Sequence, residues 1–261
     1  MARGVTGFLC HMDEKSETVD SLRVGNLKIV QALKGYRYSL DPILLSYFVA
    51  GDTADKVVDL GTGSGVIPLV LANLTRASKL IGIELQPAQV VRAKKSVVLN
   101  GLAGRVEIMQ GDVRLVHHLL PAAQADLVVA NPPYRVPGRG RVAPNDERAA
   151  ARHELAGGLS DFIAAASWLL ADRGRFAIIY LTERLPELLA LLVEQRIEPK
   201  RLRMIHSRPQ AEAKMVLVEG RKDGRSGMVV EKPLYVYRES GGGRIYSDEV
   251  NQMYAAESRL D

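Results

Sequence analysis

The chain has 261 residues, 47% hydrophobic and 25% charged, which excludes a disordered or fibrous protein and leaves enough apolar material for a sizeable core. A formal charge of +5 and an isoelectric point near 9.3 suit a polyanionic partner. The single cysteine, Cys10, excludes an internal disulfide and fits a reducing cytoplasm, and no apolar run is long enough to cross a bilayer.

The opening MARGVTGFLCHM is too short for a signal-peptide core with its cleavage site, so residues 1–34 read as a leader and a short lead-in. In GYRYSLDPILLSYF (35–48), Asp41 at the N-cap and Pro42 at the first position can start a helix. From Lys56 onward the pattern is regular. KVVDL (56–60) predicts a strand, VIPLVLANL (66–74) a helix and KLIGIEL (79–85) a second strand. QPAQVVRAKKSVVLNG (86–101) has apolar residues at helical spacing and stops at Asn100-Gly101, a C-terminal signal. RVEIMQGD (105–112) and ADLVVA (125–130) are the third and fourth strands. Ser160 can cap a helix over 161–174 that Gly174 ends. RFAIIYL (175–181), ERLPELLALLVEQR (183–196), KRLRMIHS (200–207) and AKMVLVEGRK (213–222) continue as strand, helix, strand, strand. Near-continuous apolar strands alternating with helices imply a doubly wound parallel sheet covered on both faces. The last two strands, joined only by RPQAE, are too close in sequence to be parallel neighbours and predict an antiparallel pair at the edge.

VVDLGTGSG places Gly61, Gly63 and Gly65 between the first strand and its helix. Glycines there let a ligand approach the backbone and leave helix N–H groups pointing at it. Glu84 closes the second strand about 20 residues later, where a carboxylate can accept both hydroxyls of a ribose. Asp112 comes just after the third strand. Ligands of doubly wound sheets sit outside the carboxyl ends of the strands, so Asp59, Glu84 and Asp112 should face one crevice. A nicotinamide enzyme would use the same ribose acid, but it has no need of the residues that end the fourth strand.

That strand ends on Asn131-Pro132-Pro133-Tyr134. The Asn131 amide oxygen can accept a hydrogen bond from an NH2 group. Neither proline nitrogen carries a hydrogen, so the local carbonyls are held rigidly and can face a ligand. Tyr134 offers a ring for a planar partner. Together these residues form a clamp for a flat group bearing an amine. A delocalised nitrogen is a poor nucleophile, and two acceptors on its hydrogens aim its lone pair and stabilise the charge that develops as it attacks. The electrophile should be cationic and held in line at roughly 3–3.5 Å. S-adenosylmethionine meets that requirement.

In this order DLGTGSG, IEL, GD and NPPY resemble the class I S-adenosylmethionine-dependent methyltransferases that modify amino groups. The resemblance covers most of the chain from Gly35 onward. It implies a Rossmann-like fold of about seven strands with one antiparallel near the edge, and hence a single methyltransferase domain over 35–261. It implies that Asp59, Gly61 and Gly63 line the methionine part of the cofactor, that Glu84 holds the ribose, and that Asp112 with Val113 meets the adenine ring. It also implies that Asn131 to Tyr134 grip the acceptor. Tyr38 and Asp41 could cover the methionine end. RYSLDPILL, VVDLGTGSGVIPL, NPPYR, ARHE, VLVEG and PLYVY together are most similar to the bacterial tRNA1(Val) adenine-37 N(6)-methyltransferase family, which implies adenine N(6) in tRNA as acceptor and a cytoplasmic location.

The arginine-rich loop 135–154 and the basic strands 198–225 fit phosphates approaching the clamp; the alternative for such cations is a solvated face. No cluster of His and Cys has the spacing of a metal site. Three rival readings share parts of this pattern. Glutamine-amide methyltransferases of release factors also use Asn-Pro-Pro-Tyr, but with a larger domain ahead of the glycine turn. Ribosomal RNA guanine 2-amino methyltransferases tend toward Phe where Tyr134 stands. An RNA-binding module with an inactive pocket would keep the basic strands and lose the clamp.

Overall fold

The computed structural model describes residues 16–34, 37–51, 54–134, 157–239 and 244–255. The arginine-rich loop, including His153 and Glu154, and the first twelve residues lie outside them.

A mostly parallel sheet organises the molecule. Strands β3 (Lys56–Leu60), β4 (Lys79–Glu84), β5 (Val106–Gln110), β6 (Ala125–Ala130) and β7 (Leu170–Leu181) run parallel, in the order β7-β6-β3-β4-β5. The order reverses at β3: the chain moves outward through β4 and β5, then returns to place β6 on the other side. β8 (Ile197–His206) and β9 (Ala213–Lys222) form the antiparallel pair that the short RPQAE connection requires. β9 inserts between β7 and β8, antiparallel to both. The two-residue strands β10 (Val229–Val230) and β11 (Leu234–Tyr235) then pair with the far side of β8. Counted with these, the sheet has nine strands among the described residues.

Burial of both faces explains the unbroken apolar strands. On β3, Val57 enters one core cluster and Val58 the other. Leu80 and Ile81 divide in the same way on β4, as do Val129 and Val128 on β6. Successive side chains point to opposite faces, and here each face is covered by helices. α1 (Asp41–Val49), α2 (Val66–Leu74) and α3 (Pro87–Leu99) contribute to one cluster. The single turn α4 (Val116–Leu119), α5 (Leu159–Leu169) and α6 (Leu185–Glu194) contribute to the other.

α3 ends as its sequence predicts. Asn100 is the C-cap and Gly101 has φ +67°. The Gly101 N–H donates to Val98 O and the Leu102 N–H to Val97 O, both at 3.0 Å, which is a complete Schellman closure.

Two helix starts differ from expectation. Leu40, not Asp41, caps α1, so Asp41 is its first residue and Pro42 its second. Gly158, not Ser160, caps α5, and the Asp161 carboxylate accepts the Gly158 N–H at 2.8 Å. α5 also stops at Leu169 rather than running to Gly174. Leu170 is already paired with Ala125, and the strand bulges before Arg175 pairs with Leu127. Sheet pairing therefore overrides the helical run of residues 170–174.

The lead-in, undivided in its sequence pattern, contains a hairpin. β1 (Glu17–Ser21) and β2 (Lys28–Ala32) pair antiparallel as a separate two-stranded sheet. The hairpin lies along α3. Lys95 pairs with Glu17 at 2.6 Å, Ser96 Oγ accepts the Val30 N–H at 2.9 Å, and Asn100 Oδ1 accepts the Lys28 N–H at 2.9 Å. The tail forms α7 (Asp248–Ala255), whose Val250 and Met253 join the first cluster beside α1.

Candidate active site

A cleft of about 520 Å³ opens over the carboxyl ends of β3, β4, β5 and β6, at the point where strand order reverses, as expected for a doubly wound sheet. Its floor is the turn after β3. The Gly61 and Thr62 N–H groups both donate to Ile83 O at 2.9 Å, drawing the turn across the end of β4. Gly61, Gly63 and Gly65 have φ of +72°, +57° and +87°, the left-handed region that glycine alone enters cheaply. A Cβ at Gly61 would stand 3.2 Å from the Phe162 ring, whereas one at Gly63 would meet nothing within 4 Å. Gly63 therefore keeps space clear in the cleft it lines. Gly82 on β4 makes room beneath: a Cβ there would meet the Thr62 side chain at 2.8 Å.

Glu84 is 7% exposed and lines the cleft. Its Oε2 accepts the Gly63 N–H at 2.9 Å and its Oε1 accepts the Gln86 N–H at 2.8 Å. The Gly63 N–H is thus engaged by Glu84. Burial pushes the Glu84 carboxyl above its ordinary value, opposed by the N–H groups of Gln86, Gly63 and Leu85. Each oxygen retains acceptor capacity beyond its one backbone bond.

Val113 and Gly111 line the wall after β5. Asp112 does not. It caps the short 3₁₀ turn Val113–Leu115, accepts the Arg114 N–H at 2.9 Å and pairs with the Arg114 guanidinium. Arg114 holds its carboxyl below the usual range.

Asp59 is also absent from the lining. It sits under the turn, 2% exposed, and its two carboxylate oxygens have no hydrogen bond among the described residues. Burial raises its pKa to about 7, with the charge of Glu84 adding to the rise. The expectation that all three acids face one crevice therefore holds on the cleft surface for Glu84 alone.

Asn131, Pro132, Pro133 and Tyr134 form the wall after β6. The Tyr134 hydroxyl lies between two acceptors, Asn131 Oδ1 and, at 3.1 Å, Asp41 Oδ2. The Tyr134 ring meets Tyr180 edge to face, centroids 5.9 Å apart. Tyr38 lines the opposite side with Ser39 and Pro42, so the segment before the glycine turn does reach the cleft. The Tyr38 N–H donates to Gln31 Oε1 at 2.9 Å. Gln31 and Ala32 of β2 themselves line the cleft, as do Gln86, Gln89 and Phe162. Sequence reasoning missed these residues; the β-branched pair Ile29-Val30 in KIVQA was the available sign of a strand there.

Several of the cations expected on the basic strands are committed within the fold. Arg201 pairs with Glu231 at 2.6 Å and lies over the Phe48 ring, while Arg203 pairs with Glu249 of α7 at 2.7 Å. These arginines tie the last strands to α1 and α7.

Residues 41–194 match the model of the methyltransferase small domain. The tRNA1(Val) (adenine(37)-N6)-methyltransferase of Porphyromonas gingivalis is 31% identical over 191 residues, spanning 71% of this chain and 74% of that one. The protein of the same name from Aeromonas salmonicida is 29% identical over 214 residues, spanning 82% and 86%. A solved structure of a predicted O-methyltransferase from Agrobacterium tumefaciens superposes with a TM-score of 0.67 at 24% identity, covering 83% of this chain and 97% of that one.

Proposed function

Because the chain belongs to the methyltransferase small-domain family, we propose that the cleft binds S-adenosylmethionine and that the protein methylates an exocyclic amino group, adenine N(6) of a tRNA. The Asn-Pro-Pro-Tyr wall carries this reading, because it lies in the same cleft as the glycine turn and Glu84. The Porphyromonas and Aeromonas relatives, both named as tRNA adenine methyltransferases, support the choice of acceptor, and a tRNA acceptor fits a cytoplasmic location.

The residues present fit the cofactor. Glu84 offers a buried carboxylate with acceptor capacity left for a ribose diol, and Gly63 leaves space that any side chain would take. Val113 and Leu85 give apolar surface for a purine, and Tyr38 with Gly61 closes the end nearest α1. When bound, S-adenosylmethionine supplies an electrophilic methyl group.

The chain's own contribution is to orient the nucleophile. Asn131 Oδ1 and the backbone carbonyl beside it accept the two hydrogens of the acceptor amine, and the Tyr134 ring covers the base. The fixed geometry of Pro132 and Pro133 holds those acceptors in place, so the work is positioning and stabilisation of developing charge. The RNA body is assigned to the loop 135–154 and to the exposed cations of 198–225. The latter exclude Arg201 and Arg203, which are paired with acids.

Incubation with methyl-labelled cofactor and separate pools of tRNA, ribosomal RNA and protein, followed by nucleoside mass mapping, tests this. N(6)-methyladenosine in the tRNA is expected; label only in protein glutamine or in guanosine would replace the reading with a rival. Asn131→Ala is expected to lower transfer by at least about 100-fold while cofactor affinity stays within a few fold, because the lost acceptor acts on the attacking amine.

A further inference from the structure

The Tyr134 hydroxyl has a single hydrogen and, among the described residues, two acceptors in reach, Asn131 Oδ1 at 2.5 Å and Asp41 Oδ2 at 3.1 Å. A phenol donates to one acceptor at a time. If the hydrogen goes to Asn131, the amide oxygen meant for the incoming amine is already engaged and becomes a weaker acceptor. If it goes to Asp41, that oxygen is left to the amine.

We propose that Asp41 is a positioning residue for methyl transfer: its carboxylate draws the Tyr134 hydroxyl hydrogen away from Asn131, leaving the Asn131 amide oxygen to accept a hydrogen of the acceptor amine. The proposal rests on the amine-methylating function proposed for the cleft.

Several features make Asp41 suited to that part. It is the first residue of α1, where backbone N–H groups favour a negative charge. Its Oδ2 also accepts the Ser39 hydroxyl at 3.0 Å, which fixes the carboxylate toward Tyr134. Burial pushes its pKa up, and the Ser39 and Tyr134 hydroxyls pull it back. An ionised carboxylate only accepts hydrogen bonds and outcompetes a neutral amide oxygen for a shared donor. Asp41 does not line the cleft; Tyr134, Asn131, Ser39 and Pro42 do. Its influence on the reacting amine passes through the Tyr134 hydroxyl. The Tyr134–Tyr180 ring contact keeps that hydroxyl in place while its hydrogen changes acceptor.

The test is a double-mutant cycle of Asp41→Asn and Tyr134→Phe in methyl transfer to tRNA. The amide introduced by Asp41→Asn can donate to the phenol oxygen, which sends the phenol hydrogen to Asn131. Asp41→Asn is expected to lower kcat by about tenfold or more, the scale of one charge-assisted hydrogen bond, with the cofactor KM within about threefold. In the Tyr134→Phe background the same substitution should change kcat by less than about twofold, because no hydroxyl remains to redirect. Losses that multiply, or a kcat unchanged by Asp41→Asn, would overturn the proposal. A second readout needs no turnover. In protein labelled with tyrosine 13Cζ, the resonance that Tyr134→Phe removes should move in Asp41→Asn, and an unmoved resonance likewise refutes the proposal. A wild-type enzyme inactive on tRNA would instead defeat the functional reading, while the resonance would still decide the role of Asp41.

Discussion

Glu84 shows why a single side chain can carry both a fold and a site. Its two oxygens accept backbone N–H groups from the turn after β3 and from the start of α3, and the carboxylate still faces the cleft. Removing it takes away the proposed ribose acceptor and releases the Gly63 N–H. Glu84→Ala is therefore expected to weaken S-adenosylmethionine binding by about 10- to 100-fold, the cost of one or two charge-assisted hydrogen bonds. Isothermal titration calorimetry gives the number; unchanged affinity would remove Glu84 from the site. Asp112 and Asp59 are the instructive contrast. All three acids stand at strand ends, yet Asp112 turns to Arg114 and Asp59 drops beneath the glycines. The position of a carboxylate along the chain is legible; the direction of its side chain depends on neighbours supplied by other elements.

At the scale of elements, the β1–β2 hairpin has consequences for the cleft. α3 presents Arg92, Ser96 and Asn100 at i, i+4 and i+8, one stripe of a helix. The hairpin binds that stripe through Glu17, Val30 and Lys28. Gln31 then holds the Tyr38 segment over the glycine turn. Ser96→Ala leaves the buried Val30 N–H without its acceptor, and the expected loss is about 1–2 kcal/mol in urea denaturation, less a few tenths regained from the helix propensity of alanine. The same variant should show faster amide exchange in β1 and β2 than in β3. Equal protection in both would mean that the hairpin does not depend on the stripe. Some strands, by contrast, are readable in advance, since β3, β6 and β9 span 56–60, 125–130 and 213–222, the segments their sequences predict. α5 is not, because the strand pairing of Leu170 with Ala125 decides its end.

For the whole molecule, the buried Asp59 sets a stability cost that depends on pH. Folding raises its pKa to about 7 from 3.8, so the folded state holds a proton that the unfolded state releases. By linkage, stability from this group is fully present below about pH 4 and is lost as pH rises through 7. At about 1.4 kcal/mol per tenfold step in proton affinity, the difference amounts to roughly 4 kcal/mol at alkaline pH. Asp59→Asn is accordingly expected to be more stable than the parent at pH 8.5 and to keep less than half of that advantage at pH 5, measured by chemical denaturation without cofactor. A gap that does not narrow between those values would show that Asp59 is ionised throughout.

The amino-acid sequence by itself determined the doubly wound architecture, the extent of β3 and β6 and the identity of the cleft wall. These follow from periodicity, glycine and proline, which constrain the backbone locally. Only the tertiary structure decided which acids face the cleft, where α5 yields to β7, and that a hairpin and Asp41 stand behind the site. Each of those outcomes is a competition for hydrogen-bond partners between residues far apart in the chain, and no local pattern contains its result.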